Sequence, residues 1–367
     1  MTTPFGSRAE AVVVRTRSGR GVAFWYQAIR RARASASCRY RMGHLAELLQ
    51  GLTTVVDAAP SARAFQRTSL LVVVRPCLDG RAKGRLRALR GRGVRAVADF
   101  DDLLFDGNAA EFPRVQNGEL ELAAAERLIA QYRDGLQEFD AFTVSTTTLA
   151  DRLRELIPDP LVLHVPNGVS PFWVDQGRKL YRSWQPGDPK VIRYFAGSPS
   201  HDEDFKVVTG ALGRFLRARP DVALEIVGPV ALDGSDLPEE RVGHLDAVPF
   251  WELPRFLASS WVTIAPLADT AFAACKSANK FLESAAFGAP CVATPNEDML
   301  RHVGGGLMTA GGEAEWGQAL EALCDDARRM ELSTRGMDYV DAHGTSLETA
   351  RAFAEGMEEW GWTDSIR

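Results

Sequence analysis

Short β-branched runs recur along the chain at 11–14, 53–56, 70–74, 94–100, 141–145 and 161–165, each the length of a strand buried on both faces. Between them the apolar spacing lengthens. Leu122, Ala125, Ile129, Tyr132, Leu136 and Phe139 fall three or four apart, the stripe of a helix lying on a sheet. Strands separated by helices make parallel sheets, because parallel neighbours need a crossover. PNGVSPFW, over 166–173, puts Pro, Asn-Gly and a second Pro into eight residues, turn chemistry that marks a boundary. Beyond it the alternation restarts, with runs at 191–195, 223–227, 242–245, 262–266 and 291–294 and helical stretches such as 205–217. The pattern predicts an α/β fold of two Rossmann-like, doubly wound domains facing a central cleft, 1–172 and 173–346. A last helix, within 347–367, returns toward the first domain. Ligands of such sheets lie at the carboxyl ends of the strands.

Composition narrows this picture by exclusion. With 46% apolar and 25% charged residues in 367, the chain is neither disordered nor low in complexity. Its apolar runs fall far short of the ~18–20 residues of a spanning helix, and the first ten residues carry no secretory pattern, so a cytoplasmic location is expected. The five cysteines are odd in number and lack C-x-x-C spacing, which predicts reduced thiols. None of the six histidines shows metal-ligand spacing, so metal is not expected. Gly19-x-Gly21 has Phe24 where a dinucleotide fingerprint needs a third glycine, which argues against a nicotinamide cofactor.

Charge is distributed unevenly. The first 100 residues hold 19 Lys+Arg against 5 Asp+Glu, a net +14, and the remainder 24 against 43, a net −19. Arg81, Lys83, Arg85, Arg87, Arg90, Arg92 and Arg95 alternate with Leu86, Leu89 and Val94, as a basic amphipathic helix would. An anionic membrane surface suits that helix, and so does plain solvent. No nucleic-acid motif accompanies the charge.

The densest chemistry lies in FAACKSANKFLESAAFGAPCVAT, 272–294, read as loop, helix and strand. Ser277 is the expected N-cap, with Lys276 before it and Lys280 in the first turn. Cations at a helix N-terminus oppose the dipole, so an anion shared by the lysines and free backbone N–H groups is attractive there, and a diphosphate answers that need. Glu283, three residues after Lys280, stands where it can accept from a ribose diol. The plainer account is a Lys280–Glu283 surface pair.

Here the chain resembles the GT-B-fold retaining glycosyltransferases of family 4, often called group 1. The pattern K-S-x-x-K-F-L-E-x-x-A-x-G-x-P-x-V-A-T is matched by 276–294, and the interdomain N-G-V by Asn167, Gly168 and Val169. YFAGSPSHDEDF, RPDVALEIVG and PFWELPRFLASS extend the likeness. An R-Y-R element, Arg39 to Arg41, and an acidic DFDDLLF, 99–105, resemble the polysaccharide-assembly members. The resemblance implies a nucleotide-sugar donor, a glycan or lipid-linked acceptor, retention of anomeric configuration and no metal. Of the family's E-x7-E pair, Glu283 matches the second Glu, which binds ribose, while Cys275 replaces the first, which contacts the donor sugar. The Arg and Lys that grip the diphosphate are replaced by Gly197, Ser198 and His201, leaving Lys276 and Lys280 to supply that charge.

The expected site therefore divides into three groups. Donor residues are Gly197, Ser198, His201, Cys275, Lys276, Ser277, Lys280 and Glu283. Asp101, where many members place a histidine, acts in catalysis with Lys280 and Glu283. Arg39 and Arg41, ahead of a helix at 45–49, meet the acceptor with Asp99 and Asp102. Two rivals remain: a catalytically silent partner that binds nucleotide sugar or glycan, suggested by Cys275, and a haloacid-dehalogenase-like phosphohydrolase using Asp99 and Asp101.

Overall fold

A computed structural model describes residues 12–13, 21–26, 35–50, 52–57, 60, 62–197, 201–232 and 234–363. The first domain is built on β1 (Gly21–Tyr26), β2 (Leu52–Val56), β3 (Thr68–Val74), β4 (Arg95–Phe100), β5 (Ala141–Val144) and β6 (Val162–His164). They form one parallel sheet in the order β2-β1-β3-β4-β5-β6. The second domain has β7 (Lys190–Phe195), β8 (Val222–Val227), β9 (Val242–Leu245), β10 (Val262–Ala265), β11 (Cys291–Ala293) and β12 (Met308–Thr309), parallel in the order β9-β8-β7-β10-β11-β12. Both domains are therefore Rossmann-like, as the alternating pattern predicts. Strand order reverses direction between β1 and β3 in one sheet and between β7 and β10 in the other, and a crevice opens at such points.

Two expectations need correction. Of the run at 11–14, the described Val12 and Val13 pair with Leu49 and Gln50 in a separate two-stranded sheet, and the central slot of the main sheet belongs to GVAFWY, 21–26. The segment holding Arg39 and Arg41 does not precede the helix expected at 45–49. It lies inside helix α1, spanning 36–48, whose middle turn Arg39–Gly43 is a π-helix.

Further helices cover the sheets: α2 (Gly80–Arg90), α3 (Leu122–Gly135), α4 (Thr147–Leu156), α5 (Pro171–Leu180), α6 (Asp202–Ala218), α7 (Asn279–Ala286), α8 (Asp326–Tyr339) and α9 (Ser346–Glu359). The basic α2 is less free than its sequence suggests. Lys83 pairs with Asp134, Arg87 with Glu138 and Arg90 with Asp140, so the acidic residues of α3 and the segment following it neutralise one face. Ala350, Phe353, Ala354 and Met357 of α9 are buried with Phe24, Leu45 and Val72 of the first domain.

The two crossings between domains run side by side. Val169 N–H donates to Gly344 O (2.9 Å) and Ser346 N–H to Val169 O (2.8 Å). A Cβ on Gly168 would collide with the Thr345 carbonyl and lie 2.6 Å from Ser346 N. Both obstacles are backbone, which cannot rotate away, so Gly168→Ala is expected to destabilise by about 1–3 kcal/mol. Chemical denaturation checks this, and a change under ~0.5 kcal/mol would contradict the close approach.

Candidate functional site

Residues just beyond the ends of β4 and β5 meet the loop that enters α7. Ser277 Oγ donates to Ser145 Oγ (3.0 Å) and accepts from Asn167 Nδ2 (3.2 Å), so it ties the domains together and is not the helix cap. Ala278 is the N-cap and makes no side-chain cap bond; its own N–H goes to Asp298 Oδ2 (2.8 Å). The first turn of α7 thus lacks a side-chain cap, and that is where Lys280 sits, over the Tyr194 ring at 5.6 Å. Burial lowers the Lys280 pKa despite nearby Asp204. Lys276, in the loop, lies 3.4 Å from Asp102 Oδ1 and 4.7 Å from the centre of the Phe272 ring. Two ammonium groups therefore flank an N-terminus that itself carries positive partial charge.

One turn further along α7 is Glu283. It accepts a 2.5 Å hydrogen bond from Tyr40 Oη of the first domain. Burial raises its pKa against that bond and the charges of Arg39 and Lys280. Tyr40 is held in turn by the edge of the His44 ring, 4.8 Å away, and His44 Nδ1 faces Gly168 O at 3.0 Å. The π turn accounts for the direction of three successive side chains. Arg39 lies over the Phe250 ring (3.6 Å), Tyr40 reaches Glu283, and Arg41 turns inward. A turn with one extra residue fans out side chains that an α-helix would space differently, and such bulges occur often at functional sites.

Arg41 is 1% exposed. Its guanidinium bonds both oxygens of Asp99, itself 2% exposed, and Nη1 donates to Val165 O (2.6 Å) and Asn167 Oδ1 (2.9 Å). Thr143 Oγ1 donates the remaining bond to Asp99 (2.7 Å). This pair is a saturated floor beneath the cleft, so the structure does not present Arg41 or Asp99 to an acceptor. A buried, fully bonded Asp99 also leaves the phosphohydrolase reading without a nucleophile.

Asp101 and Asp102 stand higher and share Arg75, whose Nε lies 2.5 Å from Asp101 Oδ1 and whose Nη2 bonds Asp102. Burial pushes the Asp102 carboxyl up, and Lys276 and Arg75 outweigh it, leaving its pKa below the ordinary value. Arg75 was not singled out from the sequence. Its signal is positional: it directly follows β3 and adopts φ +50°, a left-handed conformation uncommon for a side chain of this size. The guanidinium fork and a bond from its N–H to Asp99 O (2.8 Å) hold it there.

The other expected donor residues are placed differently. Cys275 is 1% exposed and belongs to the core of the first domain, and burial pushes its thiol up to about 12. It fills space between domains where the sequence comparison expects a sugar contact. His201 precedes α6, with Nδ1 3.0 Å from Asp204 Oδ2; burial, then Lys280, pulls its pKa down to about 4, so it is neutral at pH 7. Gly197 follows β7, and a Cβ there would meet nothing within 4 Å. Ser198 lies outside the described residues. A cavity of about 830 Å³ opens between α1 and the loop after β9, lined by Arg39, Met42, Thr54, Pro249, Phe250 and Trp251.

Residues 190–326 match the family described as glycosyl transferases group 1. No curated protein matches the chain in sequence. Among solved structures, alpha,alpha-trehalose 6-phosphate synthase from Burkholderia multivorans superposes with a TM-score of 0.60 at 12% identity, covering 93% of this chain and 99% of that one. HepE of Anabaena, solved in complex with UDP, gives 0.60 at 12%, covering 92% and 100%. TarM of S. aureus, solved as a variant with fondaparinux, alpha-GlcNAc-glycerol and UDP, gives 0.54 at 8%, covering 78% of this chain; the chain spans about half of TarM's length. The chain therefore has the GT-B fold of these structures, and residues 190–326 match the glycosyl transferases group 1 model.

Proposed function

We propose that the chain transfers a sugar from a nucleotide-sugar donor to a glycan or lipid-linked acceptor, retaining the anomeric configuration, in the assembly of cell-surface polysaccharide or glycoconjugate. The observation that carries this reading is the uncapped start of α7 with Lys280 in its first turn, Lys276 just before it and Glu283 one turn on. The diphosphate would lie across the lysines and the first N–H groups, and the ribose diol on Glu283. The base would enter the cavity beside Arg39 and Phe250. HepE and TarM, which share the fold, were each solved with UDP.

Charge that develops on the leaving phosphate would fall on the fixed dipoles of the helix start and on two ammonium groups, a stabilisation that needs no metal. Asp101, oriented by Arg75, would accept from the attacking hydroxyl on the same face as the departing phosphate. The phosphate itself then takes the proton, so no covalent enzyme intermediate forms. Cross-domain bonds such as Tyr40–Glu283 and Thr148–Glu297 join the two walls of the cleft, and a cleft so joined would shield the donor from water.

Calorimetry with UDP, GDP, ADP and dTDP, in chelator-treated buffer, tests the reading. Binding of at least one nucleotide is expected, and binding of none would overturn it. The buried Cys275 favours one alternative, a partner that binds donor without turnover. Tight donor binding with neither transfer nor hydrolysis would establish that alternative.

A further inference from the structure

Lys276 has a carboxylate partner in the opposite domain. In the structure its ammonium faces Asp102 Oδ1 at 3.4 Å, across the line between the domains, with the two side chains 22% and 17% exposed. The other Asp102 oxygen is held by Arg75, which also holds Asp101. Asp102 is consequently not dependent on Lys276 for a partner: if the ammonium leaves, the guanidinium fork stays. Lys280, four residues on, sits over Tyr194 and makes no ion pair among the described residues. The two lysines therefore differ in kind, one engaged with a carboxylate and one not.

We propose that Asp102 competes with the donor diphosphate for Lys276, the ammonium moving from carboxylate to phosphate when a donor binds. The proposal rests on the diphosphate reading of the α7 start given above. It gives Asp102 a role in setting donor affinity as well as standing at the acceptor side. With Lys276 withdrawn, Asp101 and Asp102 face the acceptor with only Arg75 between them, a net single negative charge. That wall accepts hydrogen bonds from sugar hydroxyls and repels an anionic group at the same spot.

The sign of the effect separates this from structural damage. Removing the Asp102 charge should tighten nucleoside diphosphate binding, where a misfolded or loosened cleft would weaken it. The experiment is calorimetry with UDP, GDP, ADP and dTDP on wild type, Asp102→Asn, Lys276→Met and the double variant, with uridine and guanosine as phosphate-free probes. Asp106→Asn, which removes a charge paired with Arg133 in the same segment, controls for the general field. Thermal unfolding of each variant verifies that it is folded.

The expected result is about a fivefold gain in affinity for Asp102→Asn, the scale of one partly exposed ion pair. The gain should vanish in the Lys276→Met background and be absent for the nucleosides. Unchanged or weakened binding by folded Asp102→Asn would overturn the exchange while leaving the transferase reading intact. An equal gain in the Lys276→Met background, or from Asp106→Asn, would also overturn it. If wild type binds no nucleotide, the transferase reading itself falls and takes this one with it.

Discussion

Glu283→Ala should lower affinity for the preferred nucleoside diphosphate by about a hundredfold or more, and sugar transfer by at least as much. A carboxylate that receives both hydroxyls of a ribose makes two charge-assisted bonds, each worth roughly 1.5–3 kcal/mol, and tenfold in affinity corresponds to about 1.4 kcal/mol. The environment of Glu283 sets the lower end of that range. Burial raises the cost of leaving that carboxylate ionised, and Tyr40 already supplies a 2.5 Å bond to Oε1 that the ribose must share or replace. A 2′-deoxynucleotide provides the cross-check. Wild type should bind it less well than the ribonucleotide, and the variant should not distinguish them. Wild-type affinity in a folded Glu283→Ala protein would move the ribose elsewhere in the cleft.

The second large effect concerns stability. Arg41→Met leaves Asp99 2% exposed with only Thr143 to bond it, and frees Val165 O and Asn167 Oδ1 at the crossing between domains. Removing one partner of a buried ion pair costs about 3–5 kcal/mol, because the remaining charge has lost its compensation. For a domain of this size the midpoint should fall by roughly 10 °C. Adding Asp99→Asn to Arg41→Met should recover part of the loss, since an amide is cheaper to bury than an unpaired carboxylate. Urea or thermal unfolding measures both. A loss under ~1 kcal/mol for the single variant would mean that water or a shifted side chain reaches Asp99.

The two sheets were legible because buried parallel strands are short, β-branched and regularly separated by helical stripes. The failures have physical causes. Residues 11–14 and GVAFWY, 21–26, are both apolar and close together, and nothing local decides which joins the sheet; that choice is made by pairing with β2 and β3. The α7 cap moved from Ser277 to Ala278 because the serine hydroxyl found partners in the other domain, at Ser145 and Asn167. The lysines and Glu283 could be placed on one helical turn from spacing alone. Their counterparts could not, since Tyr40 lies 243 positions from Glu283 and the packing of the two domains brings them together. Arg41 and Asp99 read as cleft residues because charge in a sequence suggests a surface, whereas here each charge buries the other.

The π turn at Arg39–Gly43 carries a consequence for sequence change in this segment. It closes with His44 N–H on Arg39 O, five residues back, so it contains one more residue than an α-turn. Deleting any one of those five would let the helix close normally and rotate everything before it by about 100° relative to everything after. Arg39 could then no longer lie on Phe250 while Arg41 remained under Asp99. Substitutions in this segment can be absorbed one side chain at a time, but a change in its length exchanges all three contacts together, so the segment tolerates variation in residue type far better than variation in residue count.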